Sequence, residues 1–148
     1  MNQKGFARRC FFGFYKETFR DYSLTAEEMF NRGQQVKDTS FLSDFADKLC
    51  ALADPINMNT VLHLNKDEEI LWFDYTINCR KRARDISEFD SIRKRELEHR
   101  HFKALKLAGV FAFIDGSSTI TEQHLYNAFH FAEESGEHLG LMLNRDKP

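Results

Sequence analysis

The strongest hydrophobic pattern in the chain lies between Arg95 and Leu143, where it predicts two long helices joined by a tight turn. Small residues recur at every fourth position on both predicted helices: Ala104, Ala108 and Ala112 on the first, and Ala128, Ala132 and Gly136 on the second. Because residues four apart share a helix face, each row forms a shallow groove in which two backbones can approach closely. The first helix is apolar nearly all round, through Leu105, Val110, Phe111, Phe113 and Ile114, which is typical of a buried helix.

Two shorter patterns predict β-strands. The aromatic run FARRCFFGFY indicates a buried strand at about 10–15, and the weak alternation over 60–64 indicates a second strand. A strand pair is marginal in water, and an apolar edge invites further pairing. We therefore expect either that the two strands complete the sheet of a larger protein, of which this chain is the C-terminal part, or that they pair with each other beneath the helices.

Capping residues predict where the remaining helices begin and end. Thr25 or Ser23 starts a helix over AEEMFNRGQQV, and Asp38, Thr39 or Ser40 starts another that Pro55 ends. Asn65 with Glu68 begins the helix that contains Trp72, Ser87 with Asp90 opens the next, Gly116 ends it, and Thr121 caps the last helix. The expected fold is mainly α, a helical bundle with two short strands. It forms a single domain over 1–148, with a strand and helix part at 1–64 and the bundle at 65–148.

Length and composition fit one folded domain, because 148 residues with 15 Phe can bury a sizeable core. No apolar run approaches the ~20 residues of a membrane span, and the N-terminus lacks a signal-peptide pattern. Cys10, Cys50 and Cys79 are odd in number and widely spaced, which favours reduced thiols. These features predict a cytoplasmic protein with no membrane partner and no metal site.

The charge is unevenly distributed, although its sum is only −2. Residues 80–106 hold ten of the 21 Lys and Arg, and this basic segment predicts contact with a phosphate backbone through counterion release. Its candidate DNA-binding residues are Arg80, Lys81, Arg82, Arg84, Arg93, Lys94, Arg95, Arg100 and Lys103, with Lys106 beyond them. Phe89 and Phe102 lie nearby as stacking partners for single-stranded DNA. Interleaved Asp and Glu leave the alternative of an ordinary solvated helix face.

The order of several short motifs resembles the C-terminal region of phage and prophage primase–helicase proteins with a RecA-like ATPase core. The motifs are Gly5-Phe6-Ala7-Arg8-Arg9-Cys10-Phe11-Phe12, then LHLNKDEEILWFDY, then Arg100-His101 through Lys106-Leu107-Ala108, and finally Ile120-Thr121 with Leu125 and Ala128. The closing pair of helices is also similar to the lid of AAA+ proteins. This resemblance implies that the two strands complete a RecA-like sheet.

The resemblance also implies a function in DNA replication. The chain would be a non-catalytic module of a helicase in the cytoplasm of a bacterial host, partnered by an upstream ATPase domain, neighbouring subunits of a homo-oligomer and single-stranded DNA. Arg8 or Arg9 would be an arginine finger that reaches a neighbour's nucleotide; otherwise the two simply flank an apolar strand. The chain has no G-x-x-x-x-G-K-[ST] loop, so ATP and Mg²⁺ are expected only with the upstream domain.

A second hypothesis needs no larger protein. The predicted hairpin from Arg95 to Leu143 is self-sufficient, and the chain has separate acidic and basic regions. These features are also typical of a stand-alone helical adaptor or inhibitor that binds another protein. The two hypotheses differ in whether the aromatic N-terminal run pairs within a larger sheet or is covered within this chain.

Overall fold

The connection between the two longest helices is a tight turn at Gly116, whose backbone takes a φ of +69°. The computed structural model describes residues 7–13, 24–34 and 39–144 of the chain. They include the helices α1 (Ala26–Gln34), α2 (Ser40–Leu52), α3 (Lys66–Arg84), α4 (Ser91–Ile114) and α5 (Glu122–Asn144). Short 3₁₀ turns at Pro55–Asn57 and Glu88–Asp90 lie between them. The prediction of a mainly α fold is confirmed.

The chain divides into two compact units. One, the bundle unit, comprises Met1–Phe14 with Thr60–Pro148 and contains α3, α4 and α5. The other, the small unit, comprises Tyr15–Asn59 and contains α1 and α2. The sequence places a division at 64/65, whereas these units divide at 59/60 and residues 7–13 belong with the bundle unit.

The centre of the bundle unit is the predicted hairpin of α4 and α5. Its small-residue rows are confirmed as core: Ala104, Ala108, Ala112, Ala128 and Ala132 have no exposed surface, and Gly136 is buried. α3 packs mainly on α4 and to a lesser extent on α5. Its partly buried Trp72 donates an indole N–H to the carbonyl oxygen of His101 at 3.2 Å. The small side chains bring α4 and α5 close together, so polar side chains beside them become buried as well.

Two of the helix starts are reciprocal caps. Thr25 and Glu28 form a capping box at α1, in which the backbone N–H of each residue donates to the side chain of the other. At α5, Thr121 is paired in the same way with His124, whose Nδ1 accepts from the Thr121 N–H at 3.1 Å. Asn65 is the N-cap of α3, as predicted, but its side chain makes no capping hydrogen bond. Ser87 caps the 3₁₀ turn rather than α4 itself.

The two predicted strands are not confirmed. Residues 10–13 have no regular secondary structure, and residues 14–15 lie outside the described part of the chain. Over 60–64 there is a single parallel bridge between His63 and Thr119, with a hydrogen bond of 2.8 Å from the Ile120 N–H to the His63 carbonyl. Within the described ranges, therefore, no sheet corresponds to the expected RecA-like one. The N-terminal run forms hydrogen bonds with side chains of α5, whereas the prediction placed a neighbouring strand beside it.

One other apolar prediction needs correction. Val110 on α4 is 49 % exposed, so this helix is not buried on all sides. In the small unit, Phe41, Phe45 and Leu49 form an exposed apolar stripe on α2, and this helix has no buried residue. None of the helices in the described ranges has the length and apolar character needed to cross a membrane.

Candidate nucleic-acid interface

A buried ionic cluster joins the charged residues of α4. Glu96 has no exposed surface and accepts hydrogen bonds at 2.6 Å from both Arg100 Nη2 and Lys103 Nζ. The three residues are four and seven positions apart, so they lie on one face of the helix. A buried charge must be paired to be tolerated, and each charge in this trio has a partner within the same helix.

Glu133 on α5 extends the cluster across to α3. Its carboxylate accepts from Arg100 Nη1 at 2.6 Å, from Arg82 at 2.9 Å and 3.0 Å, and from the Tyr75 hydroxyl at 2.9 Å. Burial alone would raise the pKa of Glu133, but the Arg82 hydrogen bond and the Arg100 charge outweigh it and hold this pKa below its ordinary value. Burial raises the pKa of Tyr75, which stays a neutral donor. The cluster therefore fastens all three helices of the bundle unit.

Several residues expected to bind DNA are engaged in these ion pairs. Arg100 and Lys103 are buried, Arg82 is bound to Glu133, and Lys94 is bound to Glu88. Their charge is compensated by the protein's own carboxylates. Against the expectation from sequence, Arg100 and Lys103 are not free for a phosphate backbone, because the spacing that made them look like a basic face also places them beside Glu96.

The N-terminal segment 10–12 docks on α4 and α5. Lys103 Nζ donates to the Cys10 carbonyl at 3.1 Å, and the Phe12 N–H donates to Ser135 Oγ at 2.5 Å. The Phe12 carbonyl accepts from His138 Nδ1 at 3.2 Å. The Phe11 ring packs edge-on against Phe131 with centroids 5.1 Å apart. These contacts hold the preceding arginines at the surface of α4.

Docking of this segment creates an open groove of about 610 Å³, called here the basic groove. It is lined by Arg8, Arg9, Phe11, His99, Phe102, Lys103, Lys106, Leu107 and Val110. No carboxylate is among these lining residues, and Arg9 and Lys106 are exposed. Phe11 and Phe102 are 37 % and 46 % exposed. Cations and accessible rings thus share one concave surface.

Two smaller depressions adjoin the basic groove. The second depression, of about 320 Å³, is lined by Arg80, Arg84, Glu98, His99, His101 and Phe102. The third depression, of about 380 Å³, is lined by Arg8, Glu88, Ser91, Lys94, Arg95, Glu98 and His99. His99 lines all three, so they meet at its side chain. The third depression contains two carboxylates and is the least favourable of the three for an anion.

His99 at this junction and His101 in the second depression are held neutral. Burial and then the charge of Arg8 lower the pKa of His99. Burial, followed by the charge of Arg80, lowers the pKa of His101 from 6.5 to about 4. His101 is 1 % exposed, and neither of its ring nitrogens has a hydrogen-bond partner among the described residues. A buried polar group without a partner is rare in folded proteins.

The predicted site residues therefore separate into distinct places. Arg8, Arg9 and Lys103 line the basic groove, and Arg80 and Arg84 line the second depression. Lys94 and Arg95 line the third, together with Arg8. Lys81 and Arg93 are exposed but line none of the three. Sequence reasoning missed His99, Phe11, Leu107 and Val110 as groove residues. Helical spacing could have found three of these, because 99, 102, 103, 106, 107 and 110 share one face of α4.

In the described ranges, no three His, Cys, Asp or Glu side chains are placed to hold a metal ion. No family model, curated protein or solved structure matches the chain. The resemblance to primase–helicase proteins therefore stays a prediction from motifs, and function has to be inferred from the groove itself.

Proposed function

We propose that this chain is a non-catalytic nucleic-acid-binding module, of the kind found at the C-terminus of phage-type replication primase–helicases, and that it binds DNA in the basic groove. The observation that supports this most directly is the composition of the groove, which combines Arg8, Arg9 and Lys106 with two accessible rings and no lining carboxylate. Concave cationic surfaces with aromatic side chains are the common form of single-strand grooves.

The charge of the groove is available to a ligand. Lys103 is the one lining cation with a short ion pair, to Glu96 at 2.6 Å, and no ion pair of Arg8, Arg9 or Lys106 occurs among the described residues. Binding a phosphate backbone to unpaired cations releases condensed counterions, which favours association without regard to sequence. The groove thus supports non-specific binding of nucleic acid.

The proposed role is non-catalytic because the sequence lacks the loop that cradles nucleotide phosphates. Purified alone, the chain should show no ATP hydrolysis above a buffer blank, with or without single-stranded DNA. Turnover that survives further purification would contradict the assignment. In an assembled motor, Arg8 or Arg9 could be tested separately as an arginine finger, because that role requires a neighbouring subunit and the groove does not.

Charge reversal at matched positions tests the groove. The R9E/K106E variant should lose at least tenfold in affinity for a fluorescein-labelled 20-mer of thymidylate, measured by anisotropy. The control is the K81E/R93E variant, which changes net charge equally at exposed residues outside the three depressions. The control should bind within about twofold of the unmodified chain. Equal losses in both variants would show a general charge effect and refute a groove.

A second candidate function is that of a protein-binding adaptor or inhibitor. It is favoured by the exposed stripe on α2, where Phe41 and Phe45 stack with ring centroids 6.2 Å apart. Replacing both by Ser should leave DNA affinity unchanged if the groove is the functional site. If R9E/K106E has no effect on DNA binding, the adaptor becomes the better assignment.

A further inference from the structure

We infer that the ligand of the basic groove is an unpaired strand that passes over Phe102, stacking one base on this ring and placing the adjoining phosphate on Arg80 and Arg84. The inference rests on the proposed function and names the form of nucleic acid, its path and the residues that determine both. It also assigns a role to the second depression, which takes no part when a phosphate backbone binds in the basic groove alone.

Phe102 separates the two concave surfaces. It lines both the basic groove and the second depression, and 46 % of it is exposed. Its ring is supported by His101, with centroids 4.1 Å apart, and by Trp72, with centroids 6.4 Å apart. Because neighbouring rings already restrict the Phe102 side chain, little conformational entropy is lost when a base stacks on it. Phe102 and His99 both line the two surfaces, and Phe102 is the more exposed of the two, so a strand that occupies both surfaces passes over its ring.

The second depression offers cations at the end of that path. Arg80 and Arg84 are four residues apart on α3, so they lie one above the other on the same helix face. Both are exposed, and neither has a carboxylate partner among the described residues. Glu98 is the one acid in the lining and offsets part of the charge. Two free guanidinium groups remain suited to a phosphate.

His101 adds hydrogen-bonding groups to the lining of the second depression. It contributes to the lining, is 1 % exposed, and has no protein partner for either ring nitrogen within the described ranges. A neutral imidazole carries one donor and one acceptor. The second depression therefore has a buried donor and acceptor directly behind the Phe102 ring, which stays in place as the platform.

Stacking on Phe102 requires a base whose face is free. In a duplex both faces of each base are covered by neighbours, whereas a single strand can turn a base out at little cost. Base–aromatic stacking also needs no particular sequence, because every base has a π-face. The geometry therefore predicts discrimination between single and double strands, without discrimination between sequences.

Anisotropy with three ligands of 20 residues tests this inference on the unmodified chain. The ligands are labelled thymidylate, a tract of the same length with abasic tetrahydrofuran sugars, and a duplex. We expect thymidylate to bind about 5- to 100-fold more tightly than the abasic tract, in the range found for loss of one stacked base. Because this comparison changes the ligand alone, it holds even if a Phe102 variant fails to fold.

Variants then locate the stacking. F102A should reduce thymidylate affinity to that of the abasic tract, while F102W should preserve it. The control F89A removes a fully exposed ring that lines none of the three depressions and should bind normally. R80A/R84A should weaken thymidylate and abasic ligand by the same factor, and K81A should not.

The outcomes separate this inference from the proposed function. If thymidylate and abasic tract bind equally, or duplex binds as tightly as single strand, the stacking path is wrong although the groove still binds DNA. If F102A binds as the unmodified chain does, Phe102 is not the platform. Absence of binding by all three ligands at low salt would remove the proposed function itself.

Discussion

The guanidinium group of Arg100 occupies the space that a side chain on Gly136 would need. A Cβ atom added to Gly136 would lie 1.9 Å from Arg100 Nη2 and 2.3 Å from its Cζ. Gly136 is the last small residue of the row on α5, and Arg100 belongs to the buried ionic cluster, where it is paired with Glu96 and Glu133. The absence of one side chain on α5 therefore makes room for the ion pairs that join α4 to Glu133.

Substitution of Gly136 by Ala should destabilise the bundle unit. The added Cβ must displace Arg100 from Glu96 or Glu133, and overpacking alone costs about 1–3 kcal/mol. We expect a loss of at least this size in the free energy of unfolding, measured by urea titration of helical circular dichroism. Gly140→Ala is the control on the same helix, because nothing lies within 4 Å of its added Cβ. It should be neutral or stabilise by about 0.5–1 kcal/mol, since Ala favours helix.

Substitution of Glu96 by Gln tests the buried cluster directly. The change leaves the charges of Arg100 and Lys103 buried without their shared carboxylate, and breaking a buried pair costs about 3–5 kcal/mol. The urea midpoint should fall accordingly. Glu88→Gln, which breaks the exposed pair with Lys94, should leave the midpoint almost unchanged. Equal effects of the two substitutions would contradict the role given to burial.

The buried His101, whose ring nitrogens have no hydrogen-bond partner within the described ranges, should make stability depend on pH. Because its pKa is about 4 in the folded chain and near 6.5 when unfolded, only the unfolded state takes up the proton between these values. Its contribution is therefore fully present above about pH 6.5 and is lost as the pH falls to about 4. His101→Phe should remove this contribution. Urea midpoints from pH 7 to pH 4.5 should fall less steeply in the variant, and parallel curves would contradict the assignment.

Docking of the N-terminal segment should control access to the Cys10 thiol. Ser135→Ala with His138→Ala removes two hydrogen bonds to Phe12, each worth about 1 kcal/mol. The undocked population should then rise roughly 30-fold, and a thiol reagent should label Cys10 faster by a similar factor. Exposed Cys50 is first replaced by Ser, while Cys79 is fully buried.

Asn127→Ala, an exposed change elsewhere on α5, is the control for this labelling. It should leave the rate of Cys10 unchanged. The docking variant should also lose DNA affinity, because Arg8 and Arg9 reach the basic groove through this segment. Faster labelling with unaltered DNA binding would show that the arginines act independently of docking.

The hairpin of α4 and α5 was predictable because its signals are local. The rows at Ala104 and Ala128, the turn at Gly116 and the cap at Thr121 each depend on residues within a few positions of one another. The docking of 10–12 was not predictable in this way. The partner of Phe12 is Ser135, 123 residues away, and an aromatic run without its partner is indistinguishable from a strand.

The candidate site depends on both local and distant residues, and its DNA contacts stay a prediction. Charge clustering alone indicates Arg80 and Arg84, and no ion pair of either occurs among the described residues. The burial of Arg100 and Lys103 depends on α5 closing over Glu96, which charge spacing alone does not reveal. The ion pair between Glu96 and Arg100 is predictable from the sequence, because the two residues are four positions apart on one helix.

The salt dependence of thymidylate binding tests the central claim most directly. If the free cations of the groove and the second depression contact phosphates, log Kd should rise linearly with log salt, at roughly 0.7 per contact for a single strand. Five contacts, through Arg8, Arg9, Lys106, Arg80 and Arg84, predict a slope of roughly 3.5 for the unmodified chain. The slope should be smaller in R9E/K106E. Binding that is insensitive to salt, or undetectable at low salt, would contradict the account.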